Sequence, residues 1–340
     1  MSASLIEVLI TIPFAEPLVE QLKAVSPRLR ITVHPANRPE EIPAEVWGRC
    51  EVLLTDRVLP LPVLVPNLRW VQFYFAGIDF AVDAPLLRKP DLIVTTLSGA
   101  AAGNMAEFAL TMLLALGHRL PEMAVLQARS EWPSNRGERL RAVELRGSTV
   151  GIVGYGSIGR ELARMLVALG ATVLAAKRDV LHPEDKGYMP PGMGDPDGDL
   201  FTRLYPIEAL CSMLKECDFV VVTVPLTPQT RGLIGVEELA VMKPGVYLVN
   251  ISRGAVLDQN AVYSALQEKR LAGAALDVFV DEPLPASSPL WKLPNLIISP
   301  HISGFSQKYN ERAAEMFAEN LRLYVSGGTL FNRFDQEKGY

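Results

Sequence analysis

Histidine and cysteine are both scarce, and each scarcity narrows the chemistry open to this chain. Only His34, His118, His182 and His301 occur in 340 residues, so each can be weighed singly. The three cysteines, Cys50, Cys211 and Cys217, have no metal-ligand spacing, and no metal site is expected. Cys211 and Cys217 fall in a helix-like segment and read as core or surface thiols rather than a disulfide, which fits a reducing cytoplasm. Positive charge is not in excess: Lys and Arg number 33 against 38 Asp and Glu, a formal net charge of -5. That balance argues against a general nucleic-acid binder. No apolar run reaches the length of a membrane span. The stretch Met1 to Ile10 lacks a basic region and runs directly into a strand, so no secretory signal is expected. No repeat of fixed period is evident. What is plentiful is apolar side chain, 49% of the residues, enough for the cores of one or two domains.

The first hundred residues alternate short apolar runs with polar, proline-rich connections. Ile6–Ile12, Ile31–Val33, Val52–Leu54, Trp70–Phe73 and Ile93–Thr95 read as buried strands, with helices near Glu16–Val25 and Ala44–Cys50. This pattern predicts a small parallel sheet. Ala101–Leu116 is too rich in Ala and Leu for a surface helix and is expected to be a buried helix joining two domains. Gln127–Arg141 is polar, contains Trp132-Pro133 and predicts a surface arm. From Ser148 the rhythm is regular. Six strands are expected, at Thr149–Val153, Thr172–Ala175, Phe219–Val224, Val246–Asn250, Ala274–Val278 and Leu296–Ser299, with helices between most of them. That alternation gives a doubly wound parallel sheet. A last amphipathic helix, Gln307–Val325, is expected to pack back on the first domain. His182–Phe201, with Pro-Pro-Gly-Met-Gly-Asp-Pro-Asp-Gly-Asp inside it, can be neither strand nor helix.

Gly154-Tyr-Gly156-Ser157-Ile158-Gly159 follows the first of these later strands and opens a helix with Ile158, Leu162, Leu166 and Leu169 at helical spacing and Gly170 as its stop. This spacing suits a dinucleotide pyrophosphate. Gly154 makes the tight turn, Gly156 lets backbone N–H groups approach the phosphates, and Gly159 seats the helix on the strand. An NAD site places Asp or Glu at the end of the second strand, on the ribose hydroxyl. Here Lys177 and Arg178 stand there, and two cations suit a 2′-phosphate, so NADP is expected in preference to NAD. The competing reading has Asp179 making the ribose contact.

The remaining strand ends carry unusual polar groups: Val224-Pro225-Leu-Thr-Pro-Gln-Thr230, then Asn250-Ile251-Ser252-Arg253-Gly254, then Leu276-Asp277-Val-Phe279 with Asp281-Glu282-Pro283, and Ser299-Pro-His301-Ile-Ser303-Gly304. In open α/β sheets ligands bind outside such ends. Taken together, in this order and over nearly the whole chain, these segments and the glycine loop resemble the D-isomer-specific 2-hydroxyacid dehydrogenase family, of glyoxylate/hydroxypyruvate reductase type. The resemblance implies two Rossmann-like α/β domains with doubly wound parallel sheets. Residues 1–103 and 305–340 would form a flavodoxin-like substrate domain and 104–304 the dinucleotide-binding domain, with a hinge near Asn104 and Gly304. It makes Arg253, Glu282 and His301 the catalytic three, and Ala76 and Gly77 the loop whose N–H groups hold a carboxylate, beside Arg253. Cofactor contacts are expected from Asn104, Gly154, Gly156, Ser157, Ile158, Gly159, Lys177, Arg178, Val224, Pro225, Thr230, Ile251, Ser252, Asp277, His301, Ser303 and Gly304, with Asp277 on the nicotinamide amide.

Chemistry agrees with these roles. Reducing a 2-oxo acid moves a hydride to C2 and a proton to the carbonyl oxygen. An imidazole can supply the proton, a neighbouring carboxylate can fix its tautomer, and a guanidinium can orient the substrate carboxylate. Arg253 could instead pair with Asp258 or Glu282 on the surface. Phe73-Tyr74-Phe75 suggests an apolar wall for a larger substrate side chain. The 127–141 arm is expected to make a homodimer through the cofactor domain. The same family holds dinucleotide-sensing corepressors, so a non-catalytic scaffold is the alternative reading.

Overall fold

The computed structural model describes residues 4–336 and 339; residues 1–3, 337, 338 and 340, at the outer ends of the predicted first domain, lie outside the described residues. The chain divides into two compact units, one of Met1–Ala100, Lys186–Tyr188 and Ser306–Tyr340, the other of Ala101–Asp185 and Met189–Phe305.

In the first unit the described strands are β1 (Ile6–Ile10), β2 (Leu29–Val33), β3 (Val52–Thr55), β4 (Trp70–Phe73) and β5 (Ile93–Thr95), with helices α1 (Glu16–Lys23) and α2 (Ala44–Arg49) between them. All pairs are parallel, in the order β2-β1-β3-β4-β5 of a flavodoxin-like sheet. The sheet is buried on both faces, which is why its strands read as unbroken apolar runs.

The second unit opens with α3 (Ala102–Gly117), α4 (Leu120–Ala128) and α5 (Arg136–Arg139). It continues through β6 (Thr149–Val153), α6 (Ser157–Ala168), β7 (Thr172–Ala176), β8 (Arg203–Tyr205), α7 (Leu210–Leu214), β9 (Phe219–Val222), α8 (Val236–Val241), β10 (Val246–Asn250), α9 (Gln259–Gln267), β11 (Leu271–Leu276) and β12 (Leu296–Ile298). The helix α10 (Tyr309–Ser326) belongs to the first unit. There it packs beside α1, and its buried Asn320 accepts the Phe331 N–H at 2.8 Å and donates to Gln72 at 3.2 Å. The second sheet is parallel, ordered β12-β11-β10-β9-β6-β7-β8. It has seven strands rather than the six expected. The addition, β8, is an edge strand of three residues with Arg203 exposed, too short and too polar to stand out as a buried run. The 182–201 stretch, read as irregular, is irregular.

α3 is buried as its composition demands. Ala106, Ala109, Leu113 and Leu116 pack against Leu162, Ala163 and Leu166 of α6 and against Val150 and Ile152 of β6. Leu169, expected on the same stripe of α6, lies past its end and is exposed. The cysteines are free thiols, and burial pushes Cys50 and Cys217 up to about 12. Among the described residues no single helix is long and apolar enough to cross a membrane; the adjoining pair α3 and α4 passes by length and composition but bends by 64°.

Candidate active site

Strand order in the second sheet reverses between β6 and β9, and the loops that follow these strands touch. Gly154 turns at φ +106°, and a Cβ on it would lie 2.8 Å from the Val224 nitrogen. Thr223 Oγ1 donates to the Gly154 carbonyl at 2.6 Å. α6 begins at Ser157 without a side-chain cap. Its first intrahelical bond runs from the Arg160 N–H to the Gly156 carbonyl at 2.9 Å, so the preceding N–H groups have no acceptor within the helix. No other heavy atom lies within 4 Å of the place a Gly156 Cβ would take, whereas a Cβ on Gly159 would meet the Gly154 carbonyl at 2.4 Å. The loop is open where a phosphate must approach backbone and closed where helix meets strand. That fits the pyrophosphate of a dinucleotide.

Arg253, Glu282 and His301 stand beyond β10, β11 and β12, three strands that are neighbours in the sheet. His301 Nδ1 meets Glu282 Oε2 at 2.7 Å, with the two side chains 44% and 36% exposed. Glu282 Oε1 accepts the Phe279 N–H at 2.9 Å, which fixes the carboxylate. Since Nδ1 faces the acid, Nε2 is the ring atom left to exchange a proton with a reactant. His301 itself sits at φ +54°, a conformation that a side chain other than glycine's adopts only when held there. Its N–H donates to the Asp277 carbonyl at 2.8 Å. The buried Asp277 carboxylate accepts Ser299 Oγ at 2.6 Å and the Ile302 and Ser303 N–H groups at 3.0 Å each. Burial alone would raise this carboxyl's pKa; the hydrogen bonds outweigh it and hold the group below the ordinary aspartate range. Asp277 thus secures the turn that presents His301, a duty that its motif does not reveal.

The Arg253 loop is built in a similar way. Asn250, fully buried, accepts from the Ser252 N–H and hydroxyl at 3.1 and 2.6 Å and donates to the Arg253 carbonyl at 3.2 Å. A Cβ on Gly254 would fall 1.9 Å from the Phe279 carbonyl carbon, so this loop seats directly on the segment leading to Glu282. Arg253 is half-buried, with Nη1 donating to the Ser252 carbonyl at 2.8 Å. Asp258, one candidate surface partner for it, caps α9.

Several expected contact residues fold the loops through their own side chains. Thr230 Oγ1 donates to the Pro225 carbonyl at 2.6 Å and accepts the Thr227 N–H at 2.8 Å. Val224, Ile251, Ser252 and Ser303 are buried. Asn104 Nδ2 donates to the Ser303 and Phe305 carbonyls at 2.6 and 3.1 Å, tying α3 to the chain after His301; Gly304 has only Met105 Sδ near a Cβ position, at 3.9 Å. Ala76 and Gly77 lie in the first unit, in the loop after β4. The apolar wall expected there is not formed as read: Phe73 is fully buried in the core, and the Tyr74 hydroxyl donates to Asn310.

At the end of β7, Lys177 Nζ donates to the His182 carbonyl at 2.5 Å, and burial together with Arg160 holds the amine below the ordinary lysine range. Asp179 accepts His182 Nδ1 at 2.8 Å and the Leu181 N–H at 3.1 Å. His182 therefore has an acid partner. The reading of the residues missed Asn250 as the organiser of its loop, and it missed a buried set around Tyr155 and Asp195. Asp195, Asp197 and Asp199 are three aspartates within five residues, with no spacing that sets one apart, so nothing local marks Asp195.

A dinucleotide-shaped glycine loop and an Arg, Glu and His set on one edge of a doubly wound sheet define a nicotinamide-dependent oxidoreductase. Residues 110–303 match the NAD binding domain of D-isomer specific 2-hydroxyacid dehydrogenases. The chain is 36% identical over 293 residues to a glyoxylate reductase of Korarchaeum cryptofilum, covering 85% of this chain and 83% of that one. It is also 36% identical over 259 residues to a (S)-sulfolactate dehydrogenase of Chromohalobacter salexigens, covering 76% and 77%. A solved D-isomer specific 2-hydroxyacid dehydrogenase from Xanthobacter autotrophicus, in complex with NADPH and MES, matches with a TM-score of 0.79 at 29% identity over 99% of this chain and 100% of that one. The chain belongs to the D-isomer specific 2-hydroxyacid dehydrogenase family and is an NAD(P)-dependent enzyme of small 2-oxo and 2-hydroxy acids.

Proposed function

We propose that the protein reduces a small 2-oxo acid, of the glyoxylate or hydroxypyruvate type, to the D-2-hydroxy acid with NADPH. The observation that carries this reading is the His301–Glu282 pair at 2.7 Å, on the edge of the sheet that also carries the glycine loop. When bound, the dinucleotide supplies a hydride to C2 of the substrate. His301 donates from Nε2 the proton that the carbonyl oxygen takes up. Glu282, fixed by the Phe279 N–H, keeps the ring and its tautomer in place. Arg253 offers a planar fork to the carboxylate and carbonyl oxygens and orients C2. The N–H groups of Ala76 and Gly77 are assigned to the carboxylate on family likeness alone. Asp277 keeps lone pairs beyond its three bonds, and one of these is assigned to the nicotinamide amide.

The preference for NADPH rests on Lys177 and Arg178 at the end of β7 and on Asp179, whose carboxylate is already engaged by His182 and the Leu181 N–H. The exposed Leu120, Met123 and Trp132, at 51, 39 and 84%, suit coverage by a second copy, and we assign the α4 and 127–141 surface to a homodimer. Light scattering at micromolar concentration should give twice the chain mass; a monomer rejects that assignment.

The test of the activity is NADPH and NADH oxidation over glyoxylate, hydroxypyruvate, pyruvate, phenylpyruvate, 2-oxoisocaproate and a sulfonated 2-oxo acid. Saturable turnover is expected with glyoxylate or hydroxypyruvate, with higher kcat/KM for NADPH. No oxidation with any of these acids overturns the reading, and equal or better use of NADH overturns the coenzyme preference.

A further inference from the structure

In the irregular segment between β7 and β8, Gly194, Asp195 and Gly198 are buried, and the chain there is bonded to the first turns of α6. Asp195, 2% exposed, is its centre. Its carboxylate accepts the N–H groups of Gly198, Asp199 and Leu200, each at 3.1 Å, and the Tyr155 hydroxyl at 2.6 Å. Tyr155 is the residue between the first two glycines of the phosphate loop. Its ring stands edge-on to Phe201 at 5.2 Å and lies under the Arg160 guanidinium at 4.9 Å. Arg160 is buried as well, with Nη1 donating to the Asp195 carbonyl at 2.5 Å, Nη2 to the Pro183 carbonyl, and Nε 3.6 Å from Asp185 Oδ2. The next residue, Glu161, accepts the Gly194 N–H at its Oε2 at 2.6 Å.

This assembly bears on the glycine loop for a mechanical reason. Gly154 and Gly156 have no side chains to restrict the peptides that face a pyrophosphate, so the loop does not fix its own shape. Tyr155 is the only side chain between them, and Asp195 holds its far end. The carboxylate is in turn fixed by three backbone donors, so the anchor does not depend on a flexible partner. Burial opposes the charge on Asp195, but the Tyr155 hydroxyl, the backbone N–H groups and Arg160 together hold its pKa below the ordinary aspartate range.

We propose that Asp195 is a positioning residue for the dinucleotide: acting through Tyr155, it fixes the glycine loop in the form that receives the pyrophosphate, and residues 194–201 are a fixed extension of the coenzyme site. The proposal rests on the dinucleotide reading above. Its test compares Y155F, which removes only the hydroxyl and keeps the ring between Phe201 and Arg160, with D195N, and uses D197A on the exposed side of the same segment as the control. NADPH affinity is read by fluorescence titration, kcat and the oxo-acid KM at saturating NADPH, and folding by thermal melting. The expected result is a rise of about tenfold in the Kd and KM for NADPH in Y155F and D195N, the size of one lost buried hydrogen bond to a charged group. The oxo-acid KM and the kcat at saturation should stay within about twofold, and D197A should match the wild type. Lower melting temperatures with unchanged NADPH affinity would make the segment a structural plug and overturn the proposal, as would a fall in kcat with unchanged affinity. A wild-type protein that binds NADPH but oxidises none defeats the proposed activity while the affinity comparison still decides the role of Asp195. A wild type that binds no dinucleotide defeats both.

Discussion

Two carboxylates of the second unit hold a partner at almost the same distance, and the roles we propose for them are opposite. Glu282 meets His301 at 2.7 Å with both side chains more than a third exposed. Asp195 meets Tyr155 at 2.6 Å with almost nothing exposed. A group that passes a proton must keep one atom accessible to the reactant, so its pairing stays at the surface of the site and gains little from low dielectric. A group that fixes a loop is free to be buried, where each hydrogen bond is stronger and each lost one costs more. Exposure thus separates the two proposed tasks where distance does not.

The comparison breaks first at His301. H301N should lower kcat by about 10³-fold while NADPH affinity stays within about twofold, measured by absorbance decay and fluorescence titration. A loss that appears in affinity instead would place His301 with the fixed pairs. E282Q keeps a hydrogen-bonding side chain without the charge, and kcat should fall by about 10²-fold. Next comes coenzyme choice: replacing both Lys177 and Arg178 with Ala should cut the NADPH over NADH preference by about tenfold in kcat/KM, since we assign the end of β7 to the coenzyme and not to the proton. The smallest effect is on stability. Asp277 is held below the usual carboxylate range in the folded chain, so as pH falls the unfolded chain takes up its proton first. Its contribution is therefore complete above about pH 4 and is lost as pH drops further towards the lowered value. D277N should melt about 3 °C lower than the wild type at neutral pH, and the gap should close in melts run below about pH 4.

Runs of buried side chains were legible in the sequence, because a doubly buried parallel strand is an uninterrupted apolar segment. Trp70–Phe73, Thr149–Val153 and Val246–Asn250 match their strands residue for residue. β8 was not legible because an edge strand with an exposed Arg carries no such run. The Arg253, Glu282 and His301 motifs were legible because each is a local segment following its own strand. Their supports were less so. Asn250 and Asp277 lie inside recognised motifs, yet their hydrogen bonds are fixed by how the chain turns back after the strand. The Tyr155–Asp195 bond joins residues 40 apart, and Lys177 points into a segment whose path no periodicity describes. Polar pairings between distant segments depend on the finished fold, and a single chain of letters does not display them.

The most direct measurement follows the hydride itself. Wild-type protein is given glyoxylate's homologue hydroxypyruvate and NADPH deuterated at the transferable position of nicotinamide C4, and the product is analysed by mass and on a chiral column. The account predicts one deuterium on C2 of the D-2-hydroxy acid, formed in step with NADPH loss. An L product, a racemate, or a product with hydrogen from solvent at C2 would contradict it.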